Sequence, residues 1–105
     1  MKYAMTAALM AGALAMTAQT SFAAGDLKAG RVKAAQCAAC HGIDGMSKLP
    51  EAPNLAGQTE EYLVKALNDF RTGARKNEMM TMMAKTLSDA DVANLAAYYH
   101  SLGKQ

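Results

Sequence analysis

The sequence predicts an all-α domain, on three observations. Apolar residues recur at helical spacing in three stretches, each opened by a capping residue or closed by a glycine. No stretch alternates apolar and polar residues as a half-buried strand would. The only two cysteines stand in one run, Cys37-Ala38-Ala39-Cys40-His41, whose spacing suits a single helical turn.

The chain opens with a segment that does not belong to the domain. Lys2 supplies a positive charge, residues 4–18 are rich in Ala, Met and Leu, and Ser21-Phe22-Ala23 places small residues where a signal peptidase reads. This predicts a signal peptide over 1–23, cleaved after Ala23, and a single domain over 24–105. The apolar stretch is roughly 15 residues where a spanning helix needs about 20. Thr6 and Thr17 dilute it further, so no membrane anchor is expected.

Asp26 is the expected N-cap of a first helix over 27–36, with Leu27, Gly30, Arg31 and Ala34 along one face. Gly30 in a helix interior costs about 1 kcal/mol relative to Ala, which predicts that another helix approaches closely there. Residues 42–57 read as a loop, punctuated by Gly42, Gly45, Pro50, Pro53 and Gly57. Thr59 caps a second helix over 60–72, with Tyr62, Leu63, Ala66, Leu67 and Phe70 as its apolar stripe and Gly73 as its stop. Ser88 and Asp91 form a capping box for a third helix over 89–102, with Val92, Leu95, Ala96, Tyr99 and Leu102 facing inward.

Size and charge exclude several roles. A domain this short buries a modest core and needs support from a cofactor or cross-link. Eleven Lys and Arg stand against nine Asp and Glu, a formal net charge of +2, and Lys2 leaves with the leader. There is no basic stripe for nucleic acid and no polybasic patch for a lipid surface. Partners are therefore met without strong long-range steering.

The chemistry concentrates in the cysteine run. C-x-x-C followed directly by His is the attachment signature of haem c. The two thiols add across the porphyrin vinyl groups as thioethers, and the imidazole reaches the iron from one face. A redox dithiol would sit between a strand and a helix, and no strand is expected. A zinc site needs about four ligands, and outside the motif only His100 remains. Covalent haem also agrees with export, since bacteria attach it outside the cytoplasm.

The iron's second face needs a ligand, and Met, His and Cys are the usual candidates. His100, beside Tyr99 in the last helix, is expected on the solvent side. After the expected leader, the methionines are Met46 and a cluster of Met79, Met80, Met82 and Met83. Gap-filling in an irregular core does not call for four in so short a segment. One of the four is the expected ligand and the others line the pocket.

Together these residues resemble the small class I bacterial c-type cytochromes, the cytochrome c553 and cytochrome c4-domain group. The landmarks are Cys37–His41 with Gly42 and Asp44-Gly45, then Pro53-Asn54-Leu55-Ala56-Gly57-Gln58, Tyr62-Leu63 and Gly73-Ala74-Arg75. The methionine cluster, Leu87-Ser88-Asp89 and Leu95-Ala96-Ala97-Tyr98-Tyr99 complete the set. The resemblance implies the class I cytochrome c fold, a few helices wrapped around one haem with the first and last helices crossing. It implies Met80 as the axial ligand opposite His41, with Met79 or Met83 as the fallback. It implies that the Pro53 carbonyl accepts the other ring N–H of His41. It also sets Gly30 against Tyr98 or Tyr99. Arg75 and Lys76 read as solvated charge or as partners of a haem propionate.

An iron held by His and Met has no vacancy for oxygen or peroxide and changes by one electron with little ligand movement. The sequence reading is therefore an electron-transfer protein and not an enzyme: a soluble periplasmic monohaem carrier, monomeric, docking on dehydrogenases, reductases and terminal oxidases. A small peroxidase or a gas sensor would need the Met displaced. The rival is a haem c subunit of a larger dehydrogenase or oxidase complex.

Overall fold

The computed structural model describes residue 12 and residues 25–103. The expected signal peptide, 1–23, lies outside the described residues apart from residue 12. Among the described residues there are five α-helices, one 3₁₀ turn and no strand. They are α1 (Leu27–Lys33), α2 (Ala38–His41), α3 (Glu60–Thr72), α4 (Glu78–Ala84) and α5 (Asp89–Ser101), with the 3₁₀ turn at Ala34–Gln36.

Asp26 caps α1 by accepting the Ala29 N–H at 2.9 Å, while its own N–H bonds the Asn94 side chain on α5 at 2.8 Å. The helix expected over 27–36 stops at Lys33. The chain then tightens because the Cys37 N–H takes the Ala34 carbonyl at 2.9 Å, an i to i+3 bond.

α1 crosses α5 backbone against backbone. A Cβ on Gly30 would sit 2.0 Å from the Asn94 carbonyl oxygen and 2.8 Å from the Tyr98 Cβ. Glycine is required there by the approach itself, as its place in the sequence predicts. Leu27, on the same helical face, is 53% exposed, since the contact is made by backbone and leaves the longer side chain outside.

Thr59 caps α3 through the Tyr62 N–H, and Gly73 ends it at φ 84°. Leu63 and Phe70 are buried, whereas Tyr62 is 47% exposed and accepts a hydrogen bond from Arg75. α5 carries the capping box of Ser88 and Asp91 in both directions and buries Val92, Leu95, Ala96, Ala97, Tyr98 and Tyr99. Arg71 fastens the end of α3 to the start of α5. It donates to the Leu87 carbonyl at 3.1 Å and pairs with Asp89 at 2.5 Å. The core joins Ala34, Leu63, Leu95, Ala96, Tyr98 and Tyr99.

α4 is the element that the sequence reading treats only as a methionine cluster. Asn77 opens it by accepting the Met80 N–H at 3.0 Å, and Ala84 packs it inward with no exposed surface. Asn before an unbranched run of Glu and Met is a helix start on general grounds.

Candidate haem-attachment site

α2 is a single turn that begins at Cys37. The Cys37 carbonyl accepts the N–H of Cys40 at 3.3 Å and of His41 at 2.9 Å. Both cysteines and the histidine therefore occupy one turn, held between the 3₁₀ segment and the loop 42–57. Both thiols are half-buried and unpaired with each other, and His41 is 7% exposed.

The loop is shaped to meet that histidine. Gly45 adopts φ 75°, and its carbonyl accepts from both Leu55 and Ala56, at 2.8 and 3.1 Å. A Cβ on Gly45 would fall 2.7 Å from the Ala56 nitrogen, so only glycine closes this turn. Asn54 accepts the Ser47 N–H at 2.7 Å. Pro53, held between these ties, presents its carbonyl to His41, whose Nδ1–H donates to it at 2.9 Å. That bond places the ring proton on Nδ1 and leaves the Nε2 lone pair for a metal. Among the described residues nothing bonds Nε2.

Two tyrosines of α5 complete the surroundings. Tyr98 donates from its hydroxyl to the Ile43 carbonyl just after the motif. Tyr99 lies edge-on to Tyr98, with ring centroids 5.3 Å apart, and its hydroxyl is buried with no hydrogen bond closed. An unpaired buried hydroxyl costs about 1–3 kcal/mol. Burial raises the pKa of Tyr99, and the neighbouring Cys37 raises it further. Burial likewise pushes the Cys37 thiol up, against smaller opposing effects of Tyr99 and Lys33.

The methionines divide by exposure. Met79 and Met82 are 55% and 58% exposed, while Met80 and Met83 are half-buried. Met46 lies in the loop and is also exposed. Arg75 is exposed, and its guanidinium also lies over the Phe70 ring at 4.7 Å. His100, expected on the solvent side, is half-buried and donates from Nδ1 to the Gln58 carbonyl at 2.8 Å. With the Gly57 N–H on the Tyr99 carbonyl at 3.0 Å, it fastens the loop's end to α5. The sequence reading missed this clip and the Tyr98–Ile43 bond, because each joins residues more than 40 positions apart.

The residues suit a covalently held porphyrin. Two thiols and an imidazole with its Nε2 free share one turn, and a buried hydroxyl beside Cys37 has no partner. The core of the chain is thin, with Leu95 the only large side chain wholly enclosed among the described residues. No group of three or more His, Cys, Asp or Glu could hold a metal ion among those residues.

A helical domain with this turn is of the haem-attachment class. The cytochrome c family profile matches residues 27–103. The chain belongs to the cytochrome c family. It is 52% identical over 79 residues to a cytochrome c4 of Pseudomonas aeruginosa, covering 75% of this chain and 39% of that protein. It is 48% identical over 81 residues to cytochrome c-554(548) of Halomonas halodenitrificans, covering 74% of this chain and 98% of that one. A Thiomonas intermedia relative, named as a thiosulfate dehydrogenase electron acceptor, is 47% identical over 93 residues, covering 87% of this chain and 40% of that protein. Among solved structures, reduced cytochrome c4 from Pseudomonas stutzeri superposes with a TM-score of 0.69 at 47% identity, covering 74% of this chain and 46% of that one. The chain thus spans about two fifths of the length of the cytochrome c4 relatives it matches.

The class I cytochrome c fold expected from the sequence is therefore the fold of the chain. The chain is a c-type cytochrome domain, of a family that carries haem c and its iron by covalent attachment. Cys37 and Cys40 belong to its attachment motif.

Proposed function

We propose that the domain is a soluble, periplasmic, monohaem carrier whose iron lies between His41 and Met80. The observation that supports this most is the His41 ring, buried and turned by the Pro53 carbonyl so that Nε2 is the free nitrogen. Bound there, haem c supplies a one-electron iron couple, which a thioether ligand poises toward the reduced state. Pro53 holds the imidazole in one tautomer and one orientation, so His41 does not reorganise when the charge changes. Asn77 pins the Met80 backbone at the start of α4. Half-burial favours Met80 and Met83 over Met79 as the second ligand. The short side chains of Ala38 and Ala39, with Ala39 exposed, leave the motif open to a partner.

The leader expected over 1–23 supports the periplasm, and no described helix is long and apolar enough to cross a membrane. A relative matched over 98% of its length supports a carrier built from this one domain, which we take to act as a monomer. Its partners are redox proteins such as dehydrogenases, reductases and terminal oxidases. The Thiomonas relative is named as the electron acceptor of such a dehydrogenase. Optical spectra of the oxidised holoprotein test the ligand. The weak far-red Met-to-iron band is expected in the wild type and absent in Met80→Ala; its survival in Met80→Ala would move the ligand to Met83 or Met79.

A second reading makes this domain a haem c subunit of a larger dehydrogenase or oxidase. The relative named as a thiosulfate dehydrogenase electron acceptor is compatible with it. Sizing chromatography of the native protein separates the two, since a carrier elutes as a monomer and a subunit in a stable complex.

A further inference from the structure

We propose that Tyr99 is a cofactor-facing donor: its hydroxyl hydrogen-bonds the sulfur of Cys37 once that sulfur is a haem thioether. The inference rests on haem attachment at Cys37, and not on which methionine binds the iron.

Tyr99 is 3% exposed and stands on the buried face of α5. Its hydroxyl is the buried side-chain polar atom that closes no hydrogen bond among the described residues. The groups around it are otherwise committed or apolar. The Tyr98 hydroxyl is spent on the Ile43 carbonyl, and Ala34, Leu63 and Leu95 offer no polar atom. What remains is Cys37, packed against the same cluster and close enough to raise the Tyr99 pKa.

Attachment makes the pair complementary. As a thiol, Cys37 has a hydrogen to donate and lone pairs to accept. When the thiol adds across a vinyl group, the S–C bond forms and the thiol hydrogen goes to the other vinyl carbon. The sulfur then only accepts, and the Tyr99 O–H is the donor beside it. Cys37 is also held in place from both sides, its N–H on Ala34 and its carbonyl on His41, so attachment leaves the sulfur near α5. A donor on that sulfur draws electron density from the macrocycle edge and favours the reduced iron. Through it the last helix acts on the haem directly and does more than cross the first.

Resonance Raman spectra of the reduced holoprotein test this. In the wild type the thioether C–S stretching band is expected to shift between H₂O and D₂O. In Tyr99→Phe, which removes only the hydroxyl, that sensitivity is lost and the midpoint potential moves lower. Tyr98→Phe, which breaks the Ile43 bond instead, keeps the C–S sensitivity. A wild-type C–S band indifferent to D₂O overturns the proposal, even if Tyr99→Phe fails to accumulate. So does a change in Tyr99→Phe confined to propionate bands, which would place the hydroxyl elsewhere on the cofactor. An unchanged potential in Tyr99→Phe overturns the tuning role.

Discussion

The crossing of α1 and α5 and the segment around α4 are built on different principles. At the crossing, backbone meets backbone at Gly30, and Ala34, Leu95 and Ala96 are essentially sealed from solvent. Around α4 and the loop, Met79, Met82, Met46, Ile43 and Leu49 each leave about half of their surface outside. One region is completed by the chain itself. The other leaves large apolar side chains outside, and it carries Met80, the proposed iron ligand. Stability should therefore be concentrated in the crossing and ligand chemistry in the methionine segment, and substitutions can separate the two.

The largest expected effect is at Gly30. Alanine there would gain about 1 kcal/mol of helix propensity, yet its Cβ would lie 2.0 Å from a backbone oxygen. The clash wins, because neither helix backbone can yield without separating the pair. Gly30→Ala is expected to cost more than about 4 kcal/mol, read from denaturant unfolding of the holoprotein. A loss under 1 kcal/mol would show that the crossing is looser than described. Leu95→Ala comes next, at about 3 kcal/mol for a cavity in the enclosed core, by the same measurement.

A smaller effect belongs to the cap of α5. Ser88→Ala should cost about 1 kcal/mol. Asp91 adds a pH dependence to the same corner. Its carboxylate accepts the Ser88 N–H and faces Lys33, which holds its pKa below the usual carboxylate range. A depressed folded pKa means the unfolded chain takes up the proton first. The contribution is complete above the unfolded carboxylate value of about 3.9 and is lost as pH falls through the folded one. Asp91→Asn should flatten the acid limb of the stability profile, and an unaltered limb would remove Asp91 from that role. Smallest of all is Met82→Leu, 58% exposed in the wild type, expected within about 0.5 kcal/mol. A large loss there would erase the contrast between the two regions.

The parts legible in the sequence are those set by local physics. Asp26, Thr59 and Ser88 each cap the helix that follows, because a short polar side chain satisfies an orphan N–H two or three residues on. Gly30 announced a close helix approach because nothing else justifies glycine in a helix interior. The motif turn was legible because its spacing and its chemistry are the same fact. What stayed hidden was set by distant partners. Leu27 shares a helical face with Gly30, but the backbone contact one turn on leaves its side chain outside. His100 reads as a surface residue until the Gln58 carbonyl, 42 positions earlier, arrives beside it. α4 was hidden for a different reason. The methionines drew attention as ligands, and Asn77 as a cap was passed over.

If His41 and Met80 hold the iron as proposed, both of its faces are closed by residues of this chain, and the protein passes electrons without binding small molecules. Mixing the reduced wild-type holoprotein with carbon monoxide measures this most directly. No rapid change in the haem spectrum is expected, because a protein ligand must leave first. Fast carbon monoxide binding would contradict it.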